Sequence, residues 1–341
     1  MSIVCFGELL LRLKSPGYER ILQSKQFEAT FCGAEATVAV NLAHWGEDVS
    51  FVTVLPDHVL GEKAEEELHC WGVNTGKIVR TAGRLGTFYL EAGANQRPSQ
   101  VLYDRAFSAL AMAAPDTICW AEVLQETSWL HVSGITPAVS ASAAQMALQA
   151  VQAAKEKGIT VSCDLNYRGS LWQYGVSAPS VMKNFAMCTD VLIANEEDIQ
   201  RALGLSTEVA AGDGKLELRH YQELCRSVLH YYPNIKVIAI TLRESHSASH
   251  NDWGACLWAN GKFYKSRRYQ IFNIVDRVGA GDCFASGLIY ALRHSMSYPQ
   301  ALEFAVAASC LKHSVPGDFA RISVSEVKRL MDGNVSGRII R

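Results

Sequence analysis

Short apolar segments alternate with amphipathic segments along most of the chain. Six apolar segments of strand length are predicted as strands: Ile3–Phe6, Ser50–Val54, Trp129–Val132, Thr160–Asp164, Val191–Ala194 and Lys236–Thr241. A helical period predicts helices at Glu35–Trp45, Gly61–Trp71, Ser140–Lys157 and Leu218–Tyr231, and then, with no strand between them, at Ala280–His294 and Pro299–Lys312. Strands that alternate with helices at this spacing predict an α/β fold of three layers, with a mostly parallel sheet covered by helices.

Two segments interrupt this alternation. Residues 12–31 have no strong helical period, and residues 84–107 are predicted as two strands, Leu85–Glu91 and Gln100–Ala106, joined by the turn-rich Ala92–Ser99. Open α/β sheets bind ligands beyond the carboxyl ends of their strands, and a lid there excludes water. We therefore expect one domain over residues 1–332, a small β lid built from residues 12–31 and 84–107, and a tail over residues 333–341.

The composition limits the classes of partner. The chain has 341 residues, of which 49% are hydrophobic and 19% charged, and its net charge is −2. Nucleic-acid binding usually needs a basic face, so we expect no nucleic-acid partner. The opening MSIVCFGELLL has no basic leader and carries Glu8 inside its apolar run, which predicts a cytoplasmic protein that does not enter a membrane. The ten cysteines include no CxxC pair, so buried free thiols are expected rather than disulfides or structural zinc.

The strongest local signal for chemistry is Asp276-Arg-Val-Gly-Ala-Gly-Asp282, which leads directly into an apolar helix. Main-chain N–H groups at a helix start are unpaired and favour an anion, and glycine lets a phosphate approach closely. A carboxylate beside a phosphate is repelled by it, so its presence there needs a functional reason. Accepting a proton from an attacking hydroxyl is such a reason. The alternative is an ordinary helix start with Asp282 complementing the helix dipole. The motif alone leaves both interpretations open.

Several other motifs are absent or incomplete. The sequence has no Walker A loop, no GxGxxG after a strand, no GxSxG and no HExxH. His246 and His250 are four residues apart, but no third metal ligand is evident from the sequence. We therefore interpret this pair as a surface or structural feature rather than a metal site.

With these residues in place, the chain resembles the ribokinase-like (PfkB) carbohydrate kinases. The segment 276–282 resembles the family signature D-T-x-G-A-G-D, from which Arg277 departs, and Cys32 to Gly46 resembles the other signature, from which Cys32 and Thr37 depart. The resemblance spans about residues 3–330 and implies a ribokinase-like fold, ATP as phosphoryl donor, Asp282 as base and the amides of Gly279, Ala280 and Gly281 as an oxyanion hole. It also implies magnesium held largely through water by Asn195 and Asp198, contacts of Asn195 and Thr241 with the nucleotide, and a monovalent cation such as K⁺ near Asp276. The segment after Thr241 departs from the family pattern. Arg243 either reaches the ATP phosphates or belongs to a loop that forms an unusual wall of the site, and the sequence leaves both interpretations open.

Within this family, three segments resemble 2-keto-3-deoxygluconate kinases. They are Gly86–Glu91 with Tyr103–Ala109, Asp164–Arg168, and Leu311–Phe319. The resemblance implies that the sugar acid is bound by Gly33, Tyr89, Tyr103, Arg105 and Arg168. It places Asp164 and Asn166 near the site without a definite role.

The residue types agree with an acidic substrate. Tyr103 and Arg105 are two residues apart, so in a strand they share a face, and Arg168 follows the carboxyl end of a strand. Guanidinium groups pair with carboxylates in a planar fork. We therefore predict phosphorylation of 2-keto-3-deoxygluconate at its terminal hydroxyl by a homodimer that pairs through the lid. A kinase for a neutral sugar such as fructose or ribose, and a non-catalytic sugar sensor, are the alternatives.

Overall fold

The computed structural model describes residues 2–205 and 218–333, and the predicted tail lies almost wholly outside these ranges. Within them the strands are β1 Ser2–Phe6, β2 Leu10–Lys14, β3 Glu28–Cys32, β4 Val49–Val52, β5 Val54–Pro56, β6 Val79–Thr81, β7 Thr87–Glu91, β8 Gln100–Asp104, β9 Thr127–Ser133, β10 Thr160–Asp164, β11 Val191–Ala194, β12 Val237–Ser247, β13 His250–Ala259, β14 Lys262–Lys265 and β15 Tyr269–Phe272. The helices are α1 Ala34–His44, α2 Val59–Cys70, α3 Ala109–Met112, α4 Trp120–Val123, α5 Thr136–Val139, α6 Ala141–Glu156, α7 Ala178–Ala186, α8 Glu196–Leu203, α9 Leu218–Tyr231, α10 Ala280–Arg293, α11 Tyr298–Lys312 and α12 Val324–Met331.

A nine-stranded mixed sheet forms the centre of the molecule. Its order is β14-β13-β12-β11-β10-β9-β1-β4, with β15 paired to β13. The six strands from β12 to β4 are parallel, whereas β13, β14 and β15 pair antiparallel at one edge. This arrangement confirms the predicted α/β fold, and the carboxyl ends of the parallel strands all meet at one edge of the sheet.

Helices cover both faces of this sheet because its strands are apolar on both sides. In β1, Ile3 and Cys5 enter one hydrophobic cluster with residues of α1, α10 and α11, whereas Val4 and Phe6 enter the other with residues of α6 and α9. Successive strand residues point to opposite faces, so one continuous apolar strand supplies two cores. The predicted three-layer organisation follows from this double burial.

A separate four-stranded sheet, which we call the lid sheet, has the order β3-β2-β7-β8. The two segments that interrupt the α/β alternation therefore pair with each other, through the parallel contact of β2 with β7. The segment 12–31, for which no strand was predicted, contributes parts of β2 and β3. Leu10, Cys32, Phe88 and Leu90 form a small apolar cluster of their own on one face of this sheet.

The segment after residue 241, whose role the sequence leaves open, is a hairpin. Strand β12 runs on to Ser247 and pairs antiparallel with β13, with a bulge between Ser245 and Ser247. No helix in the described ranges is both long and apolar enough to cross a bilayer.

Candidate active site

A cavity of about 1030 Å³ lies beyond the carboxyl ends of the parallel strands and beneath the lid sheet. Residues after β1, β10 and β11 and residues 241–243 within β12 form its floor, the start of α10 forms one wall, and β8 reaches it from the lid. The predicted site residues that line the cavity are Gly33, Tyr103, Arg105, Arg168, Asn195, Asp198, Thr241, Arg243, Gly279, Ala280, Gly281 and Asp282.

The start of α10 presents amides to this cavity. Gly279 is the N-cap with φ of 81°, a left-handed conformation that favours glycine, and a Cβ there would lie 2.8 Å from the Asp318 carbonyl oxygen. Among the described residues, nothing accepts a hydrogen bond from the amides of Gly279 or Gly281, whereas the amide of Ala280 donates to the Arg277 carbonyl at 3.3 Å. The turn therefore leaves N–H groups available for an anion at the positive end of a helix of 14 residues.

Asp282 stands in the first turn of this helix and borders the cavity. Removal from water raises the pKa of its carboxyl, and the charges of Asp164, Asp318 and Glu35 raise it further, while Arg168 opposes them. Within the described part of the chain, no group donates a hydrogen bond to this carboxylate. A carboxylate that is poorly solvated and unpaired accepts a proton readily, which suits a general base.

A group of further carboxylates lies across the cavity. Burial, and then the charge of Asp198, raise the pKa of Asp164 to about 8. Asp198 and Asn195 form the capping box of α8, with Asn195 Oδ1 accepting from the Asp198 amide at 2.8 Å and Asp198 Oδ2 accepting from the Asn195 amide at 3.2 Å. These oxygens are already engaged in the cap, so they suit contact with a metal's water molecules better than direct ligation. Glu197 adds an exposed carboxylate at the same wall.

Three arginines, Arg168, Arg243 and Arg277, border the cavity near these carboxylates. Burial, and then the charge of Arg168, lower the pKa of Arg243, and burial followed by the charge of Arg243 lowers that of Arg277. Each guanidinium thus raises the cost of charging its neighbour, so the cluster would be stabilised by a bound anion. Thr241 lies beside it and donates to the Ala194 carbonyl at 3.4 Å. A polyphosphate is an anion of the required charge.

The opposite end of the cavity is formed by the lid and by the loop after β1. Arg105 is 5% exposed and donates from Nε to Glu8 Oε2 at 2.7 Å, while its guanidinium carbon lies 5.9 Å from the centre of the Tyr103 ring. No described residue accepts from its two terminal nitrogens. Gly33 approaches so closely that a Cβ there would lie 2.3 Å from the Glu8 carbonyl oxygen. This end therefore offers a fixed cation, an aromatic ring and exposed backbone to a small ligand.

Comparison with known proteins agrees with this geometry. The model of the pfkB family of carbohydrate kinases matches residues 1–321. This chain belongs to that family. It is 30% identical to a 2-dehydro-3-deoxygalactonokinase of Haloferax volcanii, over 98% of each chain, and 25% identical to a 2-dehydro-3-deoxygluconokinase of Bacillus subtilis, over 96% of this chain and 94% of that one. The crystal structure of a 2-dehydro-3-deoxygluconokinase from Thermotoga maritima superimposes with a TM-score of 0.92 at 45% identity and covers 98% of this chain and 100% of its own.

One predicted substrate contact of this pfkB kinase must be corrected. Tyr89 does not border the cavity within the described structure; its ring packs edge-on against Phe27, with centroids 5.7 Å apart. In the register of the lid sheet Phe88, not Tyr89, pairs with Tyr103, and Phe88 lines the cavity. Side chains alternate between the faces of a strand, so a shift of one residue exchanges the two faces.

Asp276, beside which a monovalent cation was expected, does not line the cavity within the described structure. Its Oδ2 accepts from Arg12 Nη2 at 2.6 Å and from the Gly317 amide at 3.1 Å, and its Oδ1 accepts from the Val278 amide at 3.0 Å. Arg12 also pairs with Asp318, and both partners are buried. This ionic cluster holds the turn before α10 in place.

Four charged residues to which the sequence assigned no role are buried in the structure: Arg12, Glu35, Lys312 and Asp318. Each is a charged residue in or beside an apolar segment, and that irregularity is the signal that identifies them. The partners of Glu35 were not predictable from the sequence, because they come from distant segments of the chain. Its Oε1 accepts from the Ser133 hydroxyl and the Thr136 hydroxyl, each at 2.8 Å.

Proposed function

We propose that this kinase transfers the terminal phosphoryl group of ATP to the terminal hydroxyl of a 2-keto-3-deoxy sugar acid, with 2-keto-3-deoxygluconate as its substrate. The observation that carries the proposal is the presence, in one cavity, of a proton acceptor at a helix start, a cluster of arginines whose charges lower one another's pKa, and the separate cation Arg105 at the lid end. The names of the relatives support the acidic substrate.

The first step assigned to the chain's own residues is activation of the hydroxyl. Asp282 accepts the hydroxyl proton while the oxygen forms a bond to the γ-phosphorus and the bond from that phosphorus to ADP breaks. The amides of Gly279 and Gly281, with that of Ala280, stabilise charge on the transferring group as an oxyanion hole. Arg243 and Arg277 hold the remaining phosphate oxygens, and Thr241 lines the nucleotide side.

At the sugar end, Arg105 binds the substrate carboxylate through its free terminal nitrogens, because Glu8 fixes Nε and thereby the plane of the guanidinium. Tyr103 and Gly33 position the sugar hydroxyls. Arg168 lies close enough to lower the pKa of both Asp164 and Asp282. It therefore contacts the substrate near the reacting end, with the chain of the sugar acid extended between the two arginines.

Magnesium fits the carboxylate side of the cavity. After burial, the charge of Asp198 raises the pKa of Asp164 and the charge of Glu197 raises the pKa of Asp198, which indicates negative charge that a cation would stabilise. Oxygen donors are those that Mg²⁺ prefers. Asn195 and Asp198 would hold it through water, with Asp164 or Glu197 beside them. When bound there, Mg²⁺ would neutralise part of the negative charge of the phosphates during transfer.

A monovalent cation at Asp276 does not fit. Both carboxylate oxygens accept hydrogen bonds from protein groups, and the Asp276 carbonyl oxygen accepts from Lys312 Nζ at 3.3 Å. The same ammonium donates to the Val315 carbonyl at 3.0 Å and is fully buried. We propose that Lys312 and Arg12 supply the positive charge beneath the catalytic turn that the family resemblance assigned to K⁺.

The test is a substrate panel with coupled detection of ADP, using 2-keto-3-deoxygluconate, 2-keto-3-deoxygalactonate, fructose and ribose. We expect kcat/KM to favour the acids over fructose by at least ~10-fold, the value of one charge-assisted hydrogen bond. A preference for fructose or ribose would leave a kinase but exclude the sugar-acid assignment. Binding of a sugar without turnover of any of the four would instead indicate a sensor.

A further inference from the structure

A cluster of possible metal ligands lies on the hairpin of β12 and β13, on the face away from the catalytic cavity. Arg243 and Trp253 are directly opposed across the hairpin and line the cavity. Glu244 and Asp252 form the next opposed pair, and successive side chains point to opposite faces. Asp252 therefore points away from the nucleotide side.

Two histidines join Asp252 on this outer face. His250 is two residues before it on β13, and the bulge between Ser245 and Ser247 brings His246 to the same place from β12. His246 Nε2 lies 3.2 Å from Asp252 Oδ2, and His250 Nε2 lies 3.9 Å from Asp252 Oδ1. The ligand atoms of the three residues all lie within 4.8 Å of one another. The structure thus supplies the third ligand that the sequence did not reveal.

The cluster contains polar atoms without partners. Asp252 is 6% exposed, yet its Oδ1 makes no hydrogen bond with any described group, and the same is true of the buried His250 Nε2. A buried polar atom without a partner costs free energy. These two orphaned atoms face each other across a gap too long for a hydrogen bond but suited to an ion between them.

The surroundings orient these ligands. Arg268 donates to Asp252 Oδ2 at 2.5 Å, which fixes the carboxylate and leaves Oδ1 directed at His250. The His250 ring stacks on Phe272, with centroids 4.3 Å apart, and lies 4.5 Å from the His246 ring. Outer partners that fix the orientation of ligands are typical of metal sites.

We propose that His246, His250 and Asp252 bind a divalent transition metal of the Zn²⁺ class. Two imidazoles and a carboxylate suit Zn²⁺, Co²⁺ or Ni²⁺ and disfavour Mg²⁺, which prefers oxygen donors. With Zn–N and Zn–O distances of about 2.0–2.2 Å, the three ligand atoms must move together by about 1 Å, which exposed histidine side chains can do. Water would complete the coordination from the side of His246, whose side chain is 38% exposed.

The site lies where three parts of the kinase meet. The Ala248 amide donates to the Asn95 carbonyl of the loop between β7 and β8 at 2.7 Å, and Arg277 of the catalytic motif donates to the Ala248 carbonyl at 2.6 Å. A metal on His246 and His250 therefore fixes the hairpin tip that contacts both the lid and the anion-binding turn. Its binding is a property of the hairpin alone and needs no substrate.

The experiment is titration of the metal-free chain with Co²⁺, followed by visible absorbance and competition with Zn²⁺, in excess Mg²⁺. The variants are His246→Gln, His250→Gln and, as a matched control, His230→Gln, which changes an exposed histidine outside the hairpin. We expect one Co²⁺ per chain in the wild type and in His230→Gln, and affinity weaker by about 100-fold or more without His246 or His250, since even outer-shell changes cost about 10–100-fold.

Absence of a saturable Co²⁺ site in the wild type, or equal affinity in all three variants, would overturn the proposal. If a histidine variant fails to fold, labelling of the wild type with diethyl pyrocarbonate decides the question. Protection of His246 and His250 by Zn²⁺ supports the site, and unchanged labelling of both excludes it.

Discussion

Replacement of Arg105 by alanine tests the substrate assignment and has two separable effects. Arg105 and Glu8 are 5% and 3% exposed and joined at 2.7 Å, so Arg105→Ala leaves Glu8 buried with only the Ser108 hydroxyl as a partner among the described residues. Loss of one partner of a buried ion pair costs about 3–5 kcal/mol of stability. Loss of a charged hydrogen bond to the substrate costs roughly 1.5–3 kcal/mol, or about 10- to 150-fold in kcat/KM.

The two effects are separated by comparing substrates in the same folded enzyme. Destabilisation lowers the active fraction equally for every substrate, so the ratio of kcat/KM for 2-keto-3-deoxygluconate to that for fructose reports only the contact with the carboxylate. The double variant Glu8→Gln with Arg105→Ala removes both charges and should recover much of the stability, because no buried ion is left unpaired. Its acid-to-neutral ratio should stay as low as that of the single variant.

Arg105→Lys is the matched conservative change. It keeps the charge but loses the planar fork, so we expect only partial recovery of the acid-to-neutral ratio. The assay is coupled ADP release over a range of each sugar at saturating ATP, with thermal unfolding measured on the same preparations. An unchanged acid-to-neutral ratio in both Arg105→Ala and the double variant would refute the assignment of Arg105 to the substrate carboxylate.

Three further predictions concern the Mg²⁺ site, the buried charge of Lys312 and the lid sheet. Asn195→Ala and Asp198→Asn should raise the Mg²⁺ concentration for half-maximal activity more than the KM for sugar; equal effects on both in a Mg²⁺ titration would count against their role. Because we assign the buried positive charge to Lys312, we expect the same turnover rate in tetramethylammonium salts as in KCl. A turnover rate more than about tenfold lower (~1.4 kcal/mol) in tetramethylammonium salts would support a K⁺ site instead. The lid sheet exposes Leu102 (63%) and the edges of β3 and β8, so we expect a homodimer that Leu102→Glu weakens; light scattering that shows only monomer at micromolar concentration would contradict this.

The central sheet was predictable because its signal is local. Strands β10 and β11 have the bounds that the apolar pattern predicts, and helix α9 ends at the predicted residue Tyr231. The strands are buried on both faces, so each reads as an uninterrupted apolar segment between helices. The start of α10 was equally predictable, because the glycine motif before this apolar helix determines the local backbone geometry of the turn.

The lid and the ionic cluster were harder to predict because they depend on pairing between distant segments. Which face of β7 meets the substrate is decided by its register with β8, and the exchange of Tyr89 for Phe88 is a shift of one residue. Arg12 reaches Asp276 and Asp318 across most of the chain, and no local pattern encodes that contact. The proximity of His246 to Asp252 was not evident from the sequence, because the bulge of β12 determines which face His246 occupies.

Single-turnover kinetics of Asp282→Asn test the central claim most directly. With saturating ATP, Mg²⁺ and 2-keto-3-deoxygluconate, we expect the phosphoryl-transfer step to slow by ~10²–10⁴-fold while calorimetric binding of the sugar acid is retained, because the proton moves only during chemistry. Since Asp282 acts only when deprotonated and its pKa is raised, the wild-type rate should increase as pH rises through that pKa, and the variant should lose this dependence. A variant that keeps more than about a tenth of the wild-type rate, with the same pH profile, would remove Asp282 from the mechanism.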